Sequence, residues 1–221
     1  MQSKRGMLVT EYITPEEAAE IIKSCVKERD HWILQTMWET GGRVSEVLGL
    51  ISDHIDRLNN CLYLTTLKQK TRTGINPLRR VFLFPESTLC QDLLDYCTRE
   101  GIGKYDWIFQ GQVRKPGKEG QVSPTYMWYL LSSAPHLGDK WKRREGLATA
   151  IGIRKMKGDK LKPAWPHLFR HGAAMYIYHR TGRLDVTQKE LGHSTIATTE
   201  GYAQLLDDAR KKIIDGSKEN E

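Results

Sequence analysis

Cys61-Leu62-Tyr63-Leu64-Thr65-Thr66 and Val81-Phe82-Leu83-Phe84-Pro85 decide the fold class. Both runs are rich in the apolar, aromatic and β-branched residues that suit a pleated surface. The first follows a turn signal at Asn59-Asn60, and Pro85 ends the second. Between them, Lys68 to Arg80 is polar, contains Gly74 and Pro77, and is expected to form a long hairpin loop or tip. One small antiparallel sheet is therefore expected, and on both sides of it the texture turns helical.

Upstream, Thr14-Pro15-Glu16-Glu17 is a helix start: Thr14 can cap, Pro15 suits the first position and Glu17 completes a capping box. Ala18, Ile21, Ile22, Cys25 and Val26 then recur at helical spacing. A second helix is expected from about Asp30 to Thr40, stopped by Gly41-Gly42, and a third from near Ser45 carrying Val47, Leu48 and Leu50. Downstream, helices are expected over Ser87–Glu100, from Ser123-Pro124 through Leu131, over His167–Arg180, near Val186–Leu191 and over Thr198–Ile214. Gln110–Gly120 and Lys155–Pro163 are expected as exposed loops. The class is mainly α with a small antiparallel β-sheet (α+β). The boundaries are an extension or linker remnant over 1–13, one domain over 14–215 and a polar tail over 216–221.

The 221 residues carry 34 Lys and Arg against 27 Asp and Glu, a net charge of +7 that suits nucleic acid without requiring it. The distribution is more telling. Lys68, Lys70, Arg72, Arg79 and Arg80 crowd one stretch, and Lys140, Lys142, Arg143, Arg144, Arg154, Lys155, Lys157, Lys160 and Lys162 crowd another. They are two solvated faces or two walls of a phosphate-binding groove. The chain has no apolar run of the roughly 20 residues a membrane helix needs and no apolar signal core, so a cytoplasmic location is expected, nucleoid-associated when on DNA. Cys25, Cys61, Cys90 and Cys97 form no C-x-x-C pair and are expected as unpaired thiols in a reduced core, with no zinc site.

Several residues could carry chemistry. Arg43 follows two glycines and alone would be a helix-cap arginine. His167 and Arg170, three apart, share a helix face just after Pro166, at an N-terminus that favours anions. His193 could be a turn histidine and Tyr202 a core aromatic. In order, however, the chain contains Gly42-Arg43-Val44-Ser45-Glu46, a lysine-rich hairpin, His167-Leu168-Phe169-Arg170-His171-Gly172, Leu191-Gly192-His193-Ser194 and Thr198-Thr199-Glu200-Gly201-Tyr202. This set resembles the tyrosine recombinase (phage integrase) family: its arginine box, hairpin lysine, His-x-x-Arg box, Leu-Gly-His turn and nucleophilic tyrosine. The resemblance runs from about Thr14 to Ile214.

The resemblance implies the catalytic-domain fold of that family and a DNA recombinase that cuts and rejoins strands through a 3′-phosphotyrosine, without cofactor, metal or ATP. It makes Arg43 and Arg170 clamps on the scissile phosphate, His167 and His193 hydrogen-bond partners and proton handlers, and Tyr202 the nucleophile. Lys70 is the best match for the hairpin lysine, with Lys68 the alternative. Glu46 would brace Arg43, and His171 would pack beside Arg170. His31, His54, His136 and His179 have no such context.

The chemistry suits these residue types. A phosphodiester under attack is crowded and anionic, and two guanidiniums can each fork two hydrogen bonds onto its oxygens. A phenol of pKa about 10 needs a base or nearby cations to attack at neutral pH. A neutral His167 can take its proton, and a hairpin lysine can return one to the departing 5′-oxygen. The phosphotyrosine keeps the energy of the broken linkage, and no G-x-x-x-x-G-K-[ST] loop is present.

Most family members carry a helical N-terminal domain that clamps the far side of the DNA, whereas this chain begins almost at the catalytic domain. A piece of a longer protein and a naturally short one are both open, and without the clamp the affinity for double-stranded DNA would be weak. The apolar stripe Leu205-Leu206, Ala209 and Ile213-Ile214 either docks on a neighbouring protomer of a DNA-bound homo-tetramer, as the resemblance implies, or packs on its own domain. Two alternatives share the ancestry: a type IB topoisomerase, which the Leu-Gly-His turn and the nine-residue step from His193 to Tyr202 disfavour, and a non-catalytic DNA-binding regulator, which the full set of competent residues disfavours.

Overall fold

The computed structural model describes residues 12–66, 76–111, 120–132, 146–157 and 160–192. Within them the chain is mainly helical with two small antiparallel sheets. Helix α1 (Pro15–Lys23) opens with the expected capping box: Thr14 Oγ1 accepts the Glu17 N–H, and a Glu17 carboxylate oxygen accepts the Thr14 N–H at 2.9 Å. Ala18, Ile21 and Ile22 are buried. The helix stops at Ser24, so Val26 leaves the apolar stripe and stands 97% exposed, contrary to expectation. Helix α2 (Glu28–Thr40) ends at Gly41 with φ +58°, and the five-residue α3 (Val44–Leu48) follows. Leu50 is buried beyond its end.

Strands β1 (Ile55–Asp56), β2 (Cys61–Thr65) and β3 (Leu78–Phe82) form a sheet in that order. β1 is two residues long, too short for sequence alternation to reveal it. β3 begins three residues earlier than the apolar run at Val81. Its register sets Val81 opposite Leu62 and Arg79 opposite Leu64. Cross-strand partners share a face, so Arg79 lies on the core face with three buried apolar residues and is not part of the expected loop.

Helix α4 (Leu89–Arg99) buries Leu89, Leu93 and Tyr96 together with Cys90 and Cys97. All four cysteines are free; three are buried and Cys25 is half-buried. Helices α5 (Pro124–Ser132) and α6 (Leu147–Ala150) follow. Where a loop was expected from Lys155 to Pro163, strands β4 (Arg154–Lys157) and β5 (Lys160–Pro163) pair as an antiparallel hairpin. Its root is held by a buried ion pair: Lys155, 2% exposed, donates from Nζ to Glu17 Oε1 at 2.7 Å and lies 2.6 Å from Oε2. Lys155 is therefore no wall of an open groove.

Helix α7 (Pro166–Thr181) runs through the centre, packed on α2 and α8 (Leu184–Leu191) and touching α1 and α5. It buries Leu168, Phe169, Ala173, Ala174 and Ile177. One continuous core joins α1, α2, α4, α5 and α7 to the first sheet. No helix of the described residues is long and apolar enough to cross a membrane. Lys68, Lys70, the helix expected over Thr198–Ile214 and its apolar stripe lie outside the described residues.

Candidate active site

The site is built where four segments meet: the α2–α3 junction, β3, α7 and the end of α8. At the junction Arg43 occupies the N-cap position of α3, and Glu46 sits one turn in. A helix start leaves main-chain N–H groups without partners, and Glu46 reaches back to take one, accepting the Arg43 N–H on Oε2 at 3.1 Å. Its other oxygen accepts from Arg43 Nη1 at 2.6 Å. Oε2 also accepts from Arg79 Nη2 at 3.1 Å. The Glu46 side chain is fully buried, while Arg43 keeps 24% of its side chain exposed and Arg79 11%. Burial alone would raise the Glu46 carboxyl. The Arg43 N–H and the two guanidiniums outweigh it and hold the group below the usual carboxylate range, ionised.

Arg79 reaches further. Its Nη1 donates to the main-chain carbonyl of Glu190, in the last turn of α8. The next main-chain carbonyl, that of Leu191, accepts from Arg170 Nη2 at 2.7 Å. Arg170 Nη1 donates at 2.7 Å to the Gly41 carbonyl, at the end of α2. The last carbonyls of a helix lack intrahelical donors and carry the negative end of its dipole. Two arginines from outside thus cap the end of α8, and one of them also caps α2. Arg170 is 2% exposed and is fixed by this double contact.

Two glycines permit the approach. Gly192 closes α8 in the left-handed conformation, φ +63°, and a Cβ there would lie 2.5 Å from Arg79 Cδ and 2.6 Å from its Nε. Gly41, φ +58°, would place a Cβ 2.5 Å from Leu191 Cδ2. Both positions need the conformational freedom and the missing side chain. The Arg79 Nε is buried with no hydrogen-bond partner among the described residues.

One turn before Arg170, His167 is exposed near the start of α7. Its ring meets that of His171 edge to face, centroids 4.5 Å apart. Burial, aided by the nearby charges of His167 and Arg170, pushes His171 down to about 4, so it is neutral at physiological pH. Among the described residues no three His, Cys, Asp or Glu side chains converge to hold a metal ion.

Residues 11–209 match the phage integrase family. The chain belongs to that family. The tyrosine recombinase XerD of Chlamydia pneumoniae is 29% identical over 184 residues, which are 82% of this chain and 50% of that protein. Of solved structures, the XerA recombinase aligns with a TM-score of 0.64 at 20% identity, covering 96% of this chain and 66% of the other. The XerH site-specific recombinase, bound to a palindromic difH substrate in a post-cleavage complex, aligns with a TM-score of 0.64 at 19% identity, covering 97% and 55%. At these identities the structures show the shared fold. The chain spans about half the length of the curated relatives it matches, 50% for the Chlamydia pneumoniae protein.

Of the phage integrase residues expected from the sequence, Arg43, His167 and Arg170 are described, whereas Lys70, its alternative Lys68, His193 and Tyr202 lie outside the described residues. Arg170 is tied to Gly41, two residues before Arg43, and to Leu191, two residues before His193. The expected brace from Glu46 to Arg43 is present. Arg79 was not expected in this role, having been grouped with a solvated or DNA-facing basic stretch. The signal was available: Val81 and Leu83 are two and four residues on, and period-two alternation puts Arg79 on their face.

Proposed function

We propose that this phage integrase chain is the catalytic domain, over about residues 14–215, of a site-specific tyrosine recombinase acting on double-stranded DNA. Tyr202 attacks the scissile phosphate, the 5′-oxygen leaves with a proton, and a 3′-phosphotyrosine joins protein to DNA. A 5′-hydroxyl then attacks that bond, restores the phosphodiester and releases the tyrosine. Atoms and charge balance without ATP. Arg43 and Arg170 neutralise the phosphate, His167 and His193 hold or move the phenolic proton, and Lys70 protonates the leaving oxygen. The protein works in the cytoplasm, as a homo-tetramer on DNA.

The observation that carries this reading is the arginine frame. Arg170 is fixed to the ends of both α2 and α8, and Glu46 fixes Arg43 from a fully buried position. A preorganised pair of guanidiniums costs no reorganisation when charge develops on phosphate oxygens. Neutral His171 against His167 suits a base site. The structural relatives support the substrate class, XerH being bound to a palindromic difH substrate.

The test is strand transfer. The protein is incubated with a pool of nicked duplexes of randomised sequence and a labelled duplex ending in a 5′-hydroxyl, in EDTA and without ATP. Label joined to the captured strand, lost in Arg43→Ala, supports the proposal. Joining confined to the strand's own broken end indicates a topoisomerase, and DNA binding without any joining indicates a regulator.

A further inference from the structure

The polar contacts of the site close into a ring. Arg43 bonds to the Glu46 carboxylate, and Arg79 Nη2 bonds to the same carboxylate. Arg79 Nη1 crosses to the Glu190 carbonyl at the end of α8. The neighbouring Leu191 carbonyl holds Arg170, and Arg170 returns to the Gly41 carbonyl, two residues before Arg43. Arg79 is the member that joins the Glu46 brace to the end of α8. Its two partners lie 33 residues back and 111 residues ahead in the chain. A second tie holds β3 against α8: the Glu190 carboxylate accepts the Phe82 N–H at 3.1 Å.

Stability alone does not call for an arginine here. Arg79 stands opposite Leu64 on the core face of β3, where an apolar residue would pack without penalty. Its Nε is buried with no hydrogen-bond partner among the described residues, and a buried donor left unpaired is destabilising. Gly192 must lack a Cβ to admit the side chain. Nor does charge balance at Glu46 require it, because the Arg43 guanidinium already lies 2.6 Å from that carboxylate. Local features that oppose stability concentrate at functional sites. With 11% of its side chain exposed, Arg79 is placed to hold other groups rather than to touch DNA.

We infer that Arg79 is a positioning residue for the reaction: it sets the separation and orientation of Arg43 and Arg170 by tying the Glu46 brace to the end of α8. This rests on the recombinase reading above. Neither guanidinium needs Arg79 for its charge. Both need it for their mutual placement, because two clamps on one phosphate stabilise developing charge only when they are aimed at the same oxygens.

The experiment measures single-turnover cleavage of a nicked duplex recovered from the randomised pool. Protein is saturating and each variant is held well below its melting temperature, where essentially all molecules are folded and a merely structural role leaves the rate constant unchanged. Arg79→Met should slow the rate constant by about 10-fold or more, toward the roughly 100-fold that a 1 Å misplacement can cost. Its affinity for the duplex should stay within about 2-fold of the wild type, since the lost interaction acts on the transition state. Arg79→Lys carries a cation to Glu46 but cannot fork onto the Glu190 carbonyl as well, so it should remain slow even where it melts like the wild type. Glu190→Ala removes the Phe82 tie alone and serves where an Arg79 variant does not fold. It should slow the rate constant about 3-fold, a part of the same misplacement. A wild-type rate constant in Arg79→Met, Arg79→Lys or Glu190→Ala, or a loss that lies wholly in DNA affinity, overturns the inference and leaves the recombinase reading standing. Absence of any adduct with the wild type overturns that reading, and the positioning role with it.

Discussion

Replacing Glu46 by Gln isolates the charge on which the arginine frame depends. The side chain keeps its size, but its fully buried oxygens presently accept from the Arg43 N–H, Arg43 Nη1 and Arg79 Nη2. A glutamine offers one acceptor atom in place of two and turns an NH₂ group toward a guanidinium. Removing one partner of a buried ion pair costs about 3–5 kcal/mol. Arg43 retains 24% exposure and recovers some hydration, which places the expected loss near the lower end, about 3 kcal/mol. That is a large share of a total stability of about 5–15 kcal/mol. In urea denaturation with a slope of about 3 kcal/mol per molar, the midpoint should fall by about 1 M. Adding Arg79→Met to Glu46→Gln removes one orphaned cation, so the double variant should be less destabilised than the sum of the singles by about 1–2 kcal/mol. A single variant within about 0.5 kcal/mol of the wild type, or strictly additive losses, would refute the bracing role of Glu46.

Other consequences are equally concrete. Gly192→Ala should cost about 2 kcal/mol or more, since left-handed strain of about 1–2 kcal/mol adds to a Cβ 2.5 Å from Arg79. Gly182→Ala, at φ +65° with nothing within 4 Å, should show the strain alone, and thermal melts of the two separate the terms. Arg170→Lys cannot span both the Gly41 and Leu191 carbonyls with one planar fork. It should lose about 2 kcal/mol in denaturation and most cleavage activity, and wild-type cleavage would count against the frame. His171 titrates near 6.5 when unfolded and near 4 when folded. The unfolded state alone gains the proton between those values, so stability is greatest above pH 6.5 and falls as pH drops toward 4, by at most about 3 kcal/mol. His171→Asn should flatten this slope in melts taken between pH 6.5 and 5.

The helices and the first hairpin were legible because their signals are local. Thr14 and Glu17 announce α1, and Gly41 ends α2 where its positive φ is needed. What escaped was strand structure written in charged residues. Arg79 lies on a strand whose inward face also carries Val81, and Lys155 lies on a strand two residues past the buried Ile153, yet their basic character groups both with surface charge. Their partners, Glu46 and Glu17, are 33 and 138 residues away in the chain, a relation no local pattern encodes. Val26 erred in the opposite direction: apolar spacing suggested a continued stripe, but the chain leaves the helix at Ser24. The family motifs single out Arg43, His167 and Arg170 along the chain. They did not reveal that Arg170 ties two helix ends together, which depends on where the carbonyls of Gly41 and Leu191 fall in space.

Covalent capture tests the central claim most directly. The chain is incubated with a pool of nicked duplexes in EDTA without ATP, the products are resolved on a denaturing gel, and the modified peptide is identified by mass spectrometry. The account predicts an adduct joined through Tyr202 to a 3′-phosphate, absent in Tyr202→Phe and strongly reduced in Arg43→Ala. An adduct that persists in Tyr202→Phe, or one joined through another residue, would contradict it.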